Sequence, residues 1–101
     1  FQAAVGEIEG RLMVSARLLS GAAAEVDAGR PPSLSDAGLI KLVVTNNAIR
    51  AVETGMALIG NPGLSRHNPL ERHYRDVLCS RIHSPQNDTI VAVAGRAALG
   101  V

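Results

Sequence analysis

The sequence has very few aromatic side chains: its 101 residues include one Phe, one Tyr and no Trp. Proteins that hold single-stranded nucleic acid commonly stack the bases on aromatic rings, and they present a basic groove to the phosphates. A formal net charge of +1 provides no such basic surface. We therefore do not expect a nucleic-acid partner.

Without aromatic residues, the core has to be built from Leu, Ile, Val and Ala. The hydrophobic fraction of 47% is that of a folded globular chain. Thin side chains, however, bury little apolar area per residue, and burial stabilises by about 25 cal/mol per Å². We therefore expect some faces of the domain to be completed by another domain or subunit.

Cysteine is also scarce, because Cys79 is the single one in the chain. One Cys cannot form an internal disulfide, which is typical of a reducing compartment, so we predict a cytoplasmic protein. We interpret Cys79 as a small buried hydrophobic residue, with a reactive thiol as the alternative. No apolar run reaches the roughly 18 residues of a membrane span. His67, His73 and His83 lack the spacing of a metal site, so no metal is expected.

Apolar residues recur every three or four positions from residue 2 to residue 28, which predicts a first helix with one apolar face. Gly10 and Gly21 lie inside this pattern. Because each glycine costs a helix about 1 kcal/mol relative to Ala, we expect close packing against a neighbouring helix at both. The predicted apolar face consists of Val5, Ile8, Leu12, Ala16, Leu19, Ala23 and Val26.

A second helix is predicted over residues 34–60, starting at the capping pattern of Ser33 and Asp36. It carries apolar residues on two sides, which is typical of a buried central helix. On its polar side, Arg50 and Glu53 have the spacing of an i,i+3 ion pair.

Two shorter helices are predicted at 69–81 and 87–99. Asn68 and Pro69 form a helix-start signal, and Glu71 and Arg75 follow at i,i+4 spacing. For the last helix, Asn87 or Asp88 is the expected N-cap. No strand pattern competes, so the predicted fold is an all-α, antiparallel four-helix-bundle-like domain.

Basic residues concentrate between positions 66 and 83. Four of the ten lie there, with two acidic residues to offset them. The guanidinium fork matches phosphate oxygens, so this cluster suits an anionic ligand; a network of interface salt bridges remains the alternative. The four residues are Arg66, Arg72, Arg75 and Arg81.

The segment 68–76, NPLERHYRD, is similar to the "YPLERLYRDA" motif of the acyl-CoA dehydrogenase superfamily. Phe1 and Gln2 are similar to the entry of the superfamily's C-terminal helical domain, and the order of helices and loops also matches. The chain therefore resembles that domain over nearly its whole length. The resemblance implies that residues 1–101 are a piece of a longer FAD-dependent oxidoreductase, a homodimer or homotetramer acting on a small molecule, possibly an acyl-CoA.

The resemblance assigns cofactor contacts position by position. Gln2 matches the family's flavin-contacting Gln. Residues 57–63, ALIGNPG, correspond to the family's "QLHGGYG" loop beside the adenine end of a neighbouring chain's FAD. Gly60 and Gly63 are retained in that loop, whereas Ala57 replaces its Gln and Asn61 replaces its second Gly. Gly60 and Asn61 are the cofactor-binding candidates here.

The segment 81–88, RIHSPQND, corresponds to the family's "RIYEGTNEI" loop, whose Glu is the usual base that removes the α-proton of the acyl-CoA. Ser84 stands at the position of that Glu, and a serine hydroxyl is not a general base near neutral pH without help. We therefore assign no catalytic residue. Gln86 and Asp88 occupy positions that contact FAD in relatives, although Asp88 could instead cap the last helix.

Two functions are compatible with the missing Glu. In the first, the whole protein is an acyl-CoA dehydrogenase whose base comes from an upstream helix. In the second, it resembles the flavin-dependent monooxygenase branch of N-hydroxylases and desulfurising oxygenases, which use reduced flavin from a reductase. In either case the 101 residues alone are expected to be inactive, to bind free FAD negligibly and to self-associate.

Overall fold

The computed structural model describes residues 1–60, 69–79 and 86–101. These residues form four α-helices and no strand, which confirms the all-α prediction. The third helix ends three residues before the predicted boundary, and the other bounds agree to within one residue. The helices are α1 (Gln2–Asp27), α2 (Leu34–Ile59), α3 (Pro69–Leu78) and α4 (Asn87–Leu99).

Helices α1 and α2 form a hairpin, because two 26-residue helices that pack together are joined only by residues 28–33. Gly29 lies in this connection with φ of 76°, a conformation that glycine adopts without strain. Ser33 caps α2 as predicted: its Oγ accepts a hydrogen bond from the backbone N–H of Asp36 at 3.1 Å.

The central position predicted for the second helix is confirmed, because α1, α3 and α4 all pack against α2. Ile49, Ala51 and Met56 are buried on α2, and Ile90 of α4 is the other buried apolar residue of the described chain. The core therefore follows the length of α2.

The first helix does not turn its predicted apolar face towards α2. Ser15 is its buried residue, while four members of that face lie exposed at seven-residue spacing. We call these four the α1 seam: Val5, Leu12, Leu19 and Val26.

The prediction of close helix packing at Gly10 and Gly21 is wrong among the described residues, since a Cβ built at either meets none of their atoms within 4 Å. The close approaches are at two glycines of α2. A Cβ at Gly38 would lie 3.3 Å from Cγ2 of Ile90, and one at Gly55 would lie 3.7 Å from Leu70. The missing side chains let α4 and α3 approach α2.

Cys79 is exposed, so its interpretation as a buried residue is wrong. It follows directly after the last residue of α3, and its Sγ donates a hydrogen bond to the carbonyl of Arg75 at 3.5 Å. A position at a helix end faces less of the core than a position in its middle, which explains the exposure.

Side-chain pairing on α3 was predicted in part. Glu71 and Arg75 form the expected i,i+4 ion pair at 2.9 Å. Glu53, expected beside Arg50, instead accepts a hydrogen bond from the Tyr74 hydroxyl at 3.2 Å. This bond ties α3 to α2 and could not be found from spacing along one helix.

The N-cap prediction for the last helix is wrong. The capping position of α4 is Gln86, which makes no side-chain capping bond. Asn87 and Asp88 are already helical, and the carboxylate of Asp88 accepts from the neighbouring Thr89 N–H at 2.9 Å. The Asn68 cap predicted for the third helix lies outside the described residues.

Candidate functional site

Gln2 and Gly60 lie at the same end of the α1–α2 hairpin. Gln2 is the first residue of α1, and Gly60 directly follows α2. Because the two helices have equal length and run antiparallel, the start of one lies beside the end of the other. Both residues are exposed. The hairpin thus brings together two residues that are 58 positions apart in the sequence.

The backbone at Gly60 has a conformation that requires glycine. Its φ is 75° and its ψ is −142°, a region that side-chain-bearing residues essentially do not occupy. Its N–H donates to the carbonyl of Met56 at 2.9 Å and closes α2. A Cβ built there meets no atom of residues 1–60, 69–79 and 86–101 within 4 Å. No described side chain therefore obstructs a ligand that approaches the main chain at this position.

Gln86 and Asp88 lie at the N-terminal end of α4, and both are exposed. An amide at a helix start can donate and accept hydrogen bonds, whereas an ionised carboxylate only accepts. Asp88 therefore suits a hydroxyl or a ring N–H of a ligand and is unsuited to a phosphate. Gln86 suits either.

The structure separates the two groups of predicted cofactor residues. The start of α4 lies beside the N-terminal half of α2, because Ile90 of α4 contacts Gly38. Gly38 and Gly60 are 22 residues apart on α2, which corresponds to about 33 Å of helix. Gln2 and Gly60 therefore cannot contact the same ring as Gln86 and Asp88 within one chain.

Two predicted positions lie outside the described residues. They are Asn61, the other candidate of the 57–63 loop, and Ser84, which stands where the family has its usual base. Arg66 and Arg81 of the basic cluster also lie outside. Of the two members of this cluster that the structure describes, Arg75 pairs with Glu71 and Arg72 is exposed.

A polar contact between α1 and α2 was missed by the sequence reading. Arg11 Nη1 donates to Oδ1 of Asn47 at 3.3 Å, and Asn47 Nδ2 donates to Ser15 Oγ at 3.2 Å. Ser15 is 8% exposed. A buried hydroxyl without a partner is costly, so Asn47 satisfies Ser15 in this interface. A buried Ser in an apolar pattern is the signal that could have indicated it.

Neither a metal cluster nor a membrane-crossing helix is found in the part of the chain that the structure describes. No group of three or more His, Cys, Asp or Glu there could hold a metal ion. None of its helices combines the length and the hydropathy needed to cross a bilayer.

Two known proteins are similar in sequence to this chain. Over 62 residues the chain is 39% identical to "Putative acyl-CoA dehydrogenase YdbM" of Bacillus subtilis (strain 168), an alignment that covers 61% of this chain and 16% of that protein. Over 69 residues it is 33% identical to "Short-chain specific acyl-CoA dehydrogenase, mitochondrial" of Bos taurus, covering 68% of this chain and 17% of that protein. The chain thus spans about a sixth of the length of these relatives.

The match to a family model is more extensive than either of these alignments. The model described as "Acyl-CoA dehydrogenase, C-terminal domain" covers residues 1–99 of the 101. It includes all four helices, the hairpin end with Gln2 and Gly60, and the start of α4. The chain belongs to the acyl-CoA dehydrogenase C-terminal domain family.

Proposed function

We propose that this domain completes the flavin sites of an FAD-dependent acyl-CoA dehydrogenase. Membership in the dehydrogenase C-terminal domain family supports the class of enzyme. The observation that carries the proposal is that two separate surfaces at helix ends expose residues through which a ligand can be bound. Gln2 and Gly60 form one of these surfaces, and Gln86 and Asp88 form the other.

The chemistry of these residues fits FAD. The amides of Gln2 and Gln86 can donate to phosphate or ring oxygens, and Asp88 can accept from a ribityl hydroxyl or a ring N–H. No side chain of the described residues covers the backbone of Gly60, which lets a ligand approach it. When bound, FAD supplies the acceptor for the electrons removed from the substrate; the residues of this domain bind and orient it.

The distance between the two surfaces supports an arrangement in which more than one chain surrounds each flavin. One chain cannot place both surfaces against one ring, since about 33 Å of helix separates them. A homodimer or homotetramer resolves this, because each chain can give its Gln2 and Gly60 end to a neighbour's flavin. Isolated, the 101 residues should neither bind free FAD measurably nor catalyse a reaction.

The substrate proposed is an acyl-CoA, and the α-proton is removed by a base outside these 101 residues. Ser84 stands where the family usually has Glu, and a serine hydroxyl lacks the basicity for this step. Both relatives reported above carry dehydrogenase names. We therefore propose dehydrogenation rather than oxygenation.

Replacing the two glutamines tests the flavin role. In the protein as its gene encodes it, we expect Gln2→Ala and Gln86→Ala each to weaken FAD binding by about tenfold, because each loses a hydrogen bond of about 1–1.5 kcal/mol to the ligand. The measurement is the FAD dissociation constant, from flavin fluorescence after removal and return of the cofactor.

Asn46→Ala is the matched control, since Asn46 is an exposed amide in the middle of α2. It should leave the dissociation constant unchanged. Equal FAD affinity in all three variants and the wild type would show that neither glutamine contributes to flavin binding. Loss of affinity in the Asn46 variant as well would indicate a general effect on folding.

A further inference from the structure

The ten-residue helix α3 depends on its contacts with the rest of the fold. Isolated helices shorter than about 12–15 residues are marginal in water, and most helical stability in proteins comes from packing. No residue of α3, which is described over its whole length, is fully buried. Its half-buried residues share one face, so this face holds α3 in place. They are Leu70, Glu71, Tyr74, Val77 and Leu78.

Two contacts of this face join α3 to the C-terminal part of α2. The Tyr74 hydroxyl donates a hydrogen bond to Oε2 of Glu53 at 3.2 Å. Leu70 lies over Gly55, where a Cβ would come within 3.7 Å of Leu70 Cδ1. We call these two pairs the α3 contacts. They lie five and seven residues before Gly60 on α2, which is at most about 10 Å of helix.

The conformation of Gly60 is not fixed by the residue itself. Glycine adopts positive and negative φ about equally readily, so other contacts have to select the φ of 75° that is found. On one side of Gly60, its N–H bonds to the carbonyl of Met56. On the other side the chain has to reach Pro69, where α3 begins. The position of α3 therefore limits the direction in which the chain leaves Gly60.

The α3 contacts close a loop that contains Gly60. Tyr74 and Glu53 are 21 positions apart, and Gly60 lies between them. Holding the ends of a loop together removes the conformations in which the ends are apart. A ligand that needs one conformation is bound more weakly by the factor by which that conformation is depopulated. Loss of an α3 contact should therefore weaken a ligand bound at Gly60.

We propose that Tyr74 and Glu53 are positioning residues of the flavin site. With Leu70 they hold α3 on α2, and so they keep the main chain at Gly60 in the conformation that meets the ligand. This rests on the proposed function, which places Gly60 in a flavin site. The hydrogen bond is longer than the usual distance of about 2.5–3.0 Å between two oxygens, so the expected effect of its loss is moderate.

The first test measures the FAD dissociation constant of the encoded protein. Tyr74→Phe removes the hydroxyl and keeps the ring, and we expect it to raise the constant about threefold. Leu70→Ala, which removes the apolar contact, should raise it about tenfold. Glu53→Leu should match Tyr74→Phe. Glu53→Gln keeps an acceptor oxygen, so it should restore affinity to within about twofold of the wild type.

Ser15→Ala is the matched control for Tyr74→Phe. It also removes one hydroxyl and one hydrogen bond between helices, since Ser15 accepts from Asn47 at the same distance of 3.2 Å. Asn47 lies 13 residues before Gly60, or about 20 Å along α2. The control should leave the dissociation constant unchanged. An equal rise in both variants would show a general loss of stability and overturn the proposal.

A double-mutant cycle tests whether Tyr74 acts through Gly60. In a Gly60→Ala background the selected conformation is already lost, so Tyr74→Phe should weaken FAD binding no further. In a Gln86→Ala background Tyr74→Phe should keep its threefold effect, because Gln86 belongs to the other flavin surface. The same threefold effect in both backgrounds would overturn the proposal.

Hydrogen exchange in the flavin-free protein separates this proposal from the proposed function. Tyr74→Phe should speed exchange at Gly60 and in the last turn of α2, and it should leave α4 unchanged. If exchange rises there but no variant, including Gln2→Ala and Gln86→Ala, changes FAD affinity, the proposed function alone is contradicted. If both glutamine variants weaken FAD binding while Tyr74→Phe alters neither exchange nor affinity, the positioning role alone is contradicted.

Discussion

Replacing Ile49 by Ala is expected to lower the free energy of unfolding of this domain by about 2–5 kcal/mol. Ile49 lies in the middle of α2 and is 1% exposed, the most buried large side chain of the described residues. Its truncation removes apolar contacts and leaves a cavity beside the helix against which the other three pack. Domains are stable by only about 5–15 kcal/mol in total, so the loss is a large share.

Hydrogen exchange of the α2 amides in the encoded protein measures this effect locally, because amides in the core exchange through opening of the surrounding structure. Leu39→Ala is the control on the same helix, as Leu39 is 36% exposed. It should change protection far less, since surface substitutions usually fall within about 0.5 kcal/mol. Equal losses at both positions would contradict the central role assigned to Ile49.

The second large effect is expected at Gly60, where Gly60→Ala should cost about 1–3 kcal/mol. With φ of 75° and ψ of −142°, the backbone there is strained for any residue that has a Cβ, although no atom of the described residues obstructs the methyl group. The penalty is therefore conformational and does not come from a clash. Because Gly60 closes α2, the last turn of that helix should show the largest rise in hydrogen exchange.

Gly95→Ala provides the contrasting variant. Gly95 is a helical residue of α4, and a Cβ built there also lies more than 4 Å from the atoms of its described neighbours. Alanine is favoured over glycine inside a helix by about 1 kcal/mol. The same substitution should thus stabilise the protein at residue 95 and destabilise it at residue 60. A stabilising effect at both positions would show that the Gly60 conformation is not required.

Local sequence signals were sufficient to predict where the helices lie, but they were insufficient to predict which face of a helix packs against its neighbour. The capping pattern at Ser33 and the glycines and prolines between helices fixed most helix bounds to within a residue. The apolar periodicity of α1 correctly predicted a helix but not which face meets α2. Periodicity indicates that an apolar stripe exists, whereas the face of α1 that meets α2 is the one with Ser15, which bonds to Asn47.

For the candidate site as well, the residues could be predicted from the sequence, whereas their arrangement in space could not. Motif similarity selected Gln2, Gly60, Gln86 and Asp88, and the structure finds all four exposed at helix termini. Their separation into two surfaces depends on the hairpin and on the packing of Ile90 against Gly38, which are contacts distant in sequence. The exposure of Cys79 and the missing side-chain cap of α4 likewise depend on where a helix ends in the assembled fold.

Anaerobic addition of acyl-CoAs to the flavin-loaded protein tests the central claim most directly. The proposal predicts that at least one acyl-CoA bleaches the visible flavin absorbance. It also predicts that Ser84→Ala keeps the rate within about tenfold, because loss of a true base would cost about 10²–10⁴. An unbleached flavin with every acyl-CoA, together with oxygen incorporation into a substrate when reduced flavin is supplied, would contradict the dehydrogenase assignment.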